Sequence, residues 1–255
     1  MNTAQPVLYE VRGSKAFITL NRPEKRNALN EDLIAGLGDA FERADADEQV
    51  SCVVLTGAGK DFCSGADLSA LQIISQGSVM DNLEDAQSLM DLFMLMRRVR
   101  MPVIAVVRGR ALAGGCGLAT ACDLVLAAKS STFGYPEVKV GFVPAIVMAI
   151  LRRNVSEKRA FELVTTGKII NAHEAEHIGL INHAFEDDQL DAGVEEATAI
   201  YETVSRTAVM LAKRLLYHTD GMSFSAAMQS GVDTNTIARM TDDCRAGVEK
   251  FTSKK

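Results

Sequence analysis

The chain has 255 residues, 47% hydrophobic and 24% charged, enough to build a sizeable core and unlike a disordered protein. A net charge of −6 disfavours nucleic acid as a partner, and no apolar run approaches the roughly 18 residues of a membrane-spanning helix. Cys52, Cys63, Cys116, Cys122 and Cys244 are odd in number and contain no CxxC pair, which predicts buried, reduced thiols rather than disulfides or a structural zinc. With no basic or apolar leader in MNTAQPVLYE, a cytoplasmic protein is expected.

In chain order, Val7–Val11 and Ala16–Leu20 alternate around Gly13-Ser14, a hairpin signal. Asn30 reads as an N-cap with Glu31 and Asp32 in the first turn, and Leu33, Ile34, Leu37 and Phe41 follow at helical spacing. Val50–Thr56 is a buried-strand run. It leads into the loop TGAGKDFCSGAD. A helix is predicted from about Asn82 to Val99 on the stripe Leu83, Ala86, Met90, Phe93 and Arg97, ended by Pro102. Pro102–Val107 and Leu124–Ala128 are two more strands, separated by the Gly-rich GRALAGGCGLATAC. The alternation predicts an α/β core with parallel crossovers. Beyond Ala145 the chain reads as mostly helical, with Ser156, Asn171 and Asp188 as caps. The expected division is an α/β core over 1–188 and a helical region over 189–255.

Three motifs compete for the chemistry. His173-Glu174-Ala175-Glu176-His177 fits H-E-x-x-H, and His183 stands where a third zinc ligand would be. Gly179 is one place too early for the extended motif, and the helix available ends near Ile178, so surface histidines on a short helix are the preferred reading. Gly115-Cys116-Gly117-Leu118-Ala119-Thr120 half-matches the dinucleotide fingerprint, with Glu137 twenty residues beyond Gly117, but Thr120 replaces the third small residue. The third reading joins two loops. Phe62-Cys63-Ser64-Gly65-Ala66-Asp67 and Ala113-Gly114-Gly115 each follow a buried strand, and each can offer backbone N–H groups to a developing oxyanion. One such donor is worth about 3–4 kcal/mol of barrier. Cys63 in the first loop is expected as an apolar filler.

Asn21-Arg22-Pro23 with Asn27-Ala28-Leu29, then Phe62–Leu68, Pro102–Cys122, and Phe133-Gly134-Tyr135-Pro136-Glu137 with Gly141 occur in one order, followed by Gly167, Ala172, Ala175 and Gly179-Leu180-Ile181. Together these segments resemble the crotonase (enoyl-CoA hydratase/isomerase) superfamily over nearly the whole chain. The resemblance implies a spiral of ββα units with a helical C-terminal region that drives trimerisation, as a homotrimer or a dimer of trimers. It implies oxyanion donors at Ala66 and Gly114. It implies an acyl-CoA thioester as substrate, with coenzyme-A contacts at Lys25, Arg26, Ala28, Asp67 and Leu68, and from a neighbouring subunit at Lys250 and Phe251. No separate cofactor, metal, nucleic acid or membrane is implied. The basic clusters Arg22/Lys25/Arg26 and Lys250/Lys254/Lys255 thereby acquire an anionic ligand.

The departures are informative. Hydratases of this family carry two glutamates, and here one position is Gly117 while the other is Glu137. Water addition uses both a base and an acid, each often worth about 10²–10⁴-fold. A single carboxylate suits a shift of a β,γ double bond to the α,β position, in which one group moves a proton from the α-carbon to the γ-carbon. Glu137 is the candidate. The glycines usual after Gly141 are replaced in Phe142-Val143-Pro144-Ala145-Ile146-Val147-Met148, so the acyl pocket is expected to differ. Leu71, Ile73, Ile74 and Val79 are candidates to cover the acyl tail. Hydration, other thioester chemistry and non-catalytic acyl-CoA binding stand as alternatives.

Overall fold

The structure is a computed structural model that describes residues 5–67, 72 and 75–253. The N-terminal hairpin is β1 (Val7–Arg12) and β2 (Lys15–Leu20), paired antiparallel with Val7 opposite Leu20. Helix α1 (Glu31–Ala46) starts where expected, because the Asn30 side chain accepts from the Leu33 N–H at 3.1 Å. Strand β3 (Cys52–Gly57) then runs parallel to β2. Helix α2 (Val79–Arg98) begins three residues earlier than its apolar stripe suggested. A reciprocal cap between Ser78 and Asp81 sets its start.

Strands β4 (Val103–Val107) and β6 (Leu124–Ala128) extend the sheet in parallel. Between them lie β5 (Arg110–Leu112) and α3 (Gly114–Ala121). After β6 come β7 (Thr132–Gly134), a 3-10 turn at Pro136–Val140, α4 (Ala145–Asn154), α5 (Glu157–Thr166), β8 (Ile169–Asn171), α6 (Ala172–His177) and β9 (His183–Phe185). The main sheet has the order β1-β2-β3-β4-β6-β9, and β5, β7 and β8 form a second, three-stranded sheet. Each of these last strands has three residues, too few for a periodicity to show in sequence.

The central strands point alternate residues to two cores. Val53, Leu55, Val103, Ala105, Val107, Val125 and Ala127 face α1 to α4 in the larger cluster. Cys52, Val54, Ile104, Val106, Leu126 and Ala128 face the other way, onto Leu190 and its helix α7 (Leu190–Thr203). The expected cap at Asp188 is not used; Gln189 stands at the N-cap with no side-chain bond, because the turn is closed by Gln189 N–H donating to Glu186 O. Buried Lys15 reaches Glu195 on α7 at 2.6 Å.

Helices α8 (Arg206–His218), α9 (Phe224–Arg239) and α10 (Asp242–Thr252) complete the helical region. Helix α8 is fastened through buried Lys213, whose Nζ donates to Met96 O (3.0 Å) and Met101 O (2.9 Å) and pairs with Asp123 Oδ2 at 2.7 Å. Tyr217 OH donates to the other oxygen of Asp123 at 2.6 Å. No described helix is long and apolar enough to cross a membrane.

Candidate active site

The two Gly-rich loops meet. Phe62 N–H donates to Arg108 O, Cys63 N–H to Arg110 O, and Leu112 N–H back to Cys63 O, at 2.8 to 3.0 Å. Asp61 fixes the start of this ladder by holding Arg110 through Nε and Nη2, both at 2.8 Å. That pairing keeps the Asp61 carboxyl below its ordinary range. Gly65 has a φ of 96°, and a Cβ there would stand 2.8 Å from the Ala113 Cβ. Only glycine allows both the turn and that approach.

Both expected donors lie at this junction. Ala66 bridges Leu29 in parallel register: Leu29 N–H donates to Gly65 O, and Asp67 N–H to Leu29 O. In that register the N–H of Ala66 points to the opposite side. Ala66 is exposed between buried Gly65 and Asp67. Gly114 is the first residue of α3, where helical N–H groups have no partner within the helix. Among the described residues neither N–H has a recorded acceptor. Ala113 enters the helix at φ 52° and ψ −128°, a strained geometry for a non-glycine, and its N–H is tied to Gly134 O at 2.8 Å.

The same Gly134 pairs with Leu112 and leads to Glu137 in the 3-10 turn. Glu137 is half-buried, and its Oε2 is buried with no hydrogen-bond partner among the described residues. Burial raises its pKa above the ordinary carboxylate value. Asp61, Asp67 and Asp123 are buried or partly buried too, but each is held by a cation. Behind Glu137, Tyr135 is fully buried with its OH 3.3 Å from Thr120 Oγ1. Burial pushes the thiols of Cys63 and Cys116 up to about 12, so both stay protonated and serve as packing.

Gly117 lies inside α3. A Cβ there would fall well inside van der Waals contact of Val147 Cγ1, 3.0 Å from Val147 Cβ and 3.4 Å from Phe93 Cζ. The position of the missing second glutamate is thus walled by α4 and α2. A cavity of about 850 Å³ lies between α2, α4 and α8. It shares Phe93 with this wall, but Glu137, Ala66 and Gly114 do not line it. Among the described residues, the partnerless Oε2 of Glu137 and the two N–H groups without an acceptor lie outside that cavity, at the positions expected from the sequence.

The expected coenzyme contacts divide. Lys25 and Arg26 are exposed at the end of a 3-10 turn, and Arg26 O accepts from Ser64 N–H in the first loop. Ala28 is buried, and its carbonyl accepts from Arg22 Nη1. Arg22 Nη2 also holds Asp67 at 2.8 Å, so that carboxylate braces the loop. Leu68, Leu71, Ile73, Ile74, Lys254 and Lys255 lie outside the described residues. Val79 is exposed at the start of α2. Lys250 and Phe251 are exposed on α10, which packs on α8 and α9.

Sequence reasoning missed the latch that shapes this corner. Fully buried Asn27 accepts from Arg22 N–H at 2.9 Å and donates to Ala58 O (2.9 Å) and Asp61 O (2.8 Å). It sits at φ 53°, which asparagine tolerates better than most residues. The zinc-like motif is occupied otherwise: Glu176 pairs with His183 Nδ1 at 2.7 Å, and Glu174 with Lys168 at 2.7 Å, around a six-residue helix. The dinucleotide-like glycines lie within α3 and are buried there.

Comparison with known proteins agrees with this geometry. Residues 10–255 match the family described as enoyl-CoA hydratase/isomerase. A Thermus thermophilus protein provisionally named an enoyl-CoA hydratase is 38% identical over 96% of each chain. A crotonyl-CoA hydratase of Syntrophomonas wolfei is 32% identical over 98% of this chain and 95% of its own. The crystal structure of an enoyl-CoA hydratase from Mycobacterium smegmatis superposes with a TM-score of 0.93, at 32% identity, over 98% of this chain and 97% of that one. Matched over residues 10–255 and to relatives more than 30% identical along nearly their whole length, this chain belongs to the enoyl-CoA hydratase/isomerase family of the crotonase superfamily, whose members act on acyl-CoA thioesters.

Proposed function

We propose that the protein is an enoyl-CoA isomerase that moves a β,γ double bond to the α,β position with Glu137 as its only proton carrier. The observation that carries this reading is the buried oxygen of Glu137, which has no partner among the described residues and lies three residues beyond Gly134, the residue whose carbonyl holds Ala113 N–H at the start of the helix that opens with Gly114. The thioester oxygen accepts from Ala66 and Gly114 N–H. The Glu137 carboxylate removes a proton from the α-carbon, and the electron pair moves onto the oxygen as a dienolate. The protonated Glu137 returns that proton to the γ-carbon, the α,β double bond forms, and the carboxylate is regenerated. Burial supports both halves, because a carboxylate of raised pKa is a stronger base and holds the proton for its return.

In this reading Lys25 and Arg26 meet the anionic coenzyme, and the backbone at Ala28, Asp67 and Leu68 lies along it. Lys250 and Phe251 approach it from a neighbouring subunit of a trimer or a dimer of trimers. The exposed stripe of Phe224, Met228 and Val232 at four-residue spacing on α9 supports such an assembly.

The second reading is hydration of an α,β-enoyl-CoA, favoured by the hydratase names of the relatives above. It requires Glu137 to activate water and another acid to serve the α-carbon. Conjugated-thioester absorbance separates the two. A rise with a short β,γ-enoyl-CoA and no change with an α,β-enoyl-CoA supports isomerisation. A loss with the α,β-substrate establishes hydration. Thioester binding without absorbance change or α-proton exchange into deuterated solvent leaves a non-catalytic acyl-CoA-binding protein.

A further inference from the structure

We infer that Gly117 and Val147 form one interlocked determinant that closes the site to water addition, with Val147 filling the volume a second carboxylate would need. The inference rests on the proton-shuttle reading of Glu137 and extends it to the choice of reaction.

Gly117 is three residues after Gly114 on α3, so it lies nearly one turn further along the same helix face. In the proton-shuttle reading, with the thioester oxygen at Gly114, residue 117 is the position from which a second acid on this helix would reach the adjoining carbons. That direction is blocked. A Cβ at 117 would overlap Val147 Cγ1 and come within 3.0 Å of Val147 Cβ. Val147 is 3% exposed on α4, and a β-branched residue in a helix has one strongly preferred rotamer, so it cannot swing aside. Phe93 of α2, also 3% exposed, closes the remaining side. Hydrocarbon from two helices, Val147 of α4 and Phe93 of α2, therefore stands where a second acid would be placed.

The chemical consequence is selective. Hydration bonds a water oxygen to the β-carbon and a proton to the α-carbon, so it needs a water at that wall. The α-to-γ proton shift consumes no water. A dry wall beside the dienolate blocks the first reaction and leaves the second open. Val147 thus acts as a specificity-determining residue through the space it fills at Gly117.

Two sets of variants test this. Melting of Gly117→Ala, Val147→Ala and their double variant reads the interlock. The expected result is a fall on the order of 5 °C for Gly117→Ala, with the double variant melting above the sum of the single shifts. Additive shifts would overturn the interlock. The second set compares Val147→Gly with Gly117→Glu/Val147→Gly on an α,β-enoyl-CoA. The double variant should hydrate at least about 10²-fold faster. Equal hydration in a folded double variant, or efficient hydration by wild type, would overturn the inference. Should only the isomerase reading fail, wild type stays inert on β,γ-enoyl-CoA while the melting coupling and the gain of hydration persist.

Discussion

Replacing Glu137 by Gln keeps the shape of the side chain and removes its ability to carry a proton. The structure gives this change two effects of opposite sign. One oxygen of Glu137 is buried without a partner, and burial raises its pKa. The folded state therefore binds a proton more readily than the unfolded chain, so at neutral pH the ionised group opposes folding. The Glu137→Gln variant should be slightly more stable than wild type at pH 7. The gain should vanish below the unfolded carboxylate's pKa of about 4.3, where Glu137 is protonated in both states. Activity moves the other way. A positioned acid or base contributes roughly 10²–10⁴-fold, and the shuttle uses Glu137 twice, so turnover should fall at least about 10³-fold, near 4 kcal/mol of barrier. Thioester affinity should change little, because the oxyanion donors are untouched. Paired assays of β,γ-enoyl-CoA turnover and urea denaturation at pH 7 and pH 4 check this. Retained turnover, or a variant less stable at pH 7, would refute the reasoning.

Three further outcomes follow from the same contacts. The acid limb of kcat/KM should lie above the ordinary carboxylate value of about 4.3, because activity needs ionised Glu137 and is lost as pH falls through a raised pKa; a pH–rate profile flat down to pH 4 would contradict it. Lys213→Met should cost about 3–5 kcal/mol in denaturant titration, since it strips a buried ammonium from two carbonyls and Asp123. Asn27→Ala removes three hydrogen bonds of a buried side chain and an asparagine at positive φ. It should cost about 3 kcal/mol and weaken thioester binding by displacing the Ala66 loop, measured by melting and by titration with a non-reactive thioester.

What was legible in the sequence follows physical range. The long elements announced themselves locally: Asn30 and its helix, the runs at Val53 and Val103, the stripe through Phe93. The candidate site was legible as a proposed set of backbone donors and one acid, because small residues and a Pro-Glu turn leave a signature along the chain. The three-residue strands of the second sheet left none, since each is defined by partners tens of residues away, as when Thr132 meets Arg110 and Asn171. The start of α7 was misplaced for a related reason: its first turn is set by packing of Leu190 on the sheet rather than by an acidic cap. The sequence showed Gly117 as an absent acid, while only the contact with Val147, thirty residues on, shows that its space is already filled.

The fastening of Lys213 has a consequence for how α2 opens. The buried residues of that helix, Leu92, Phe93 and Met96, all lie in its second half, and Lys213 grips the carbonyl of Met96. The first half, from Val79 to Ser88, rests on its Ser78–Asp81 cap and exposes Val79, Met80 and Leu83. Amide hydrogen exchange should then be graded along one continuous helix, fast near Met80 and slow near Met96. Such a helix frays from its N-terminal end while the end bearing Phe93 stays shut.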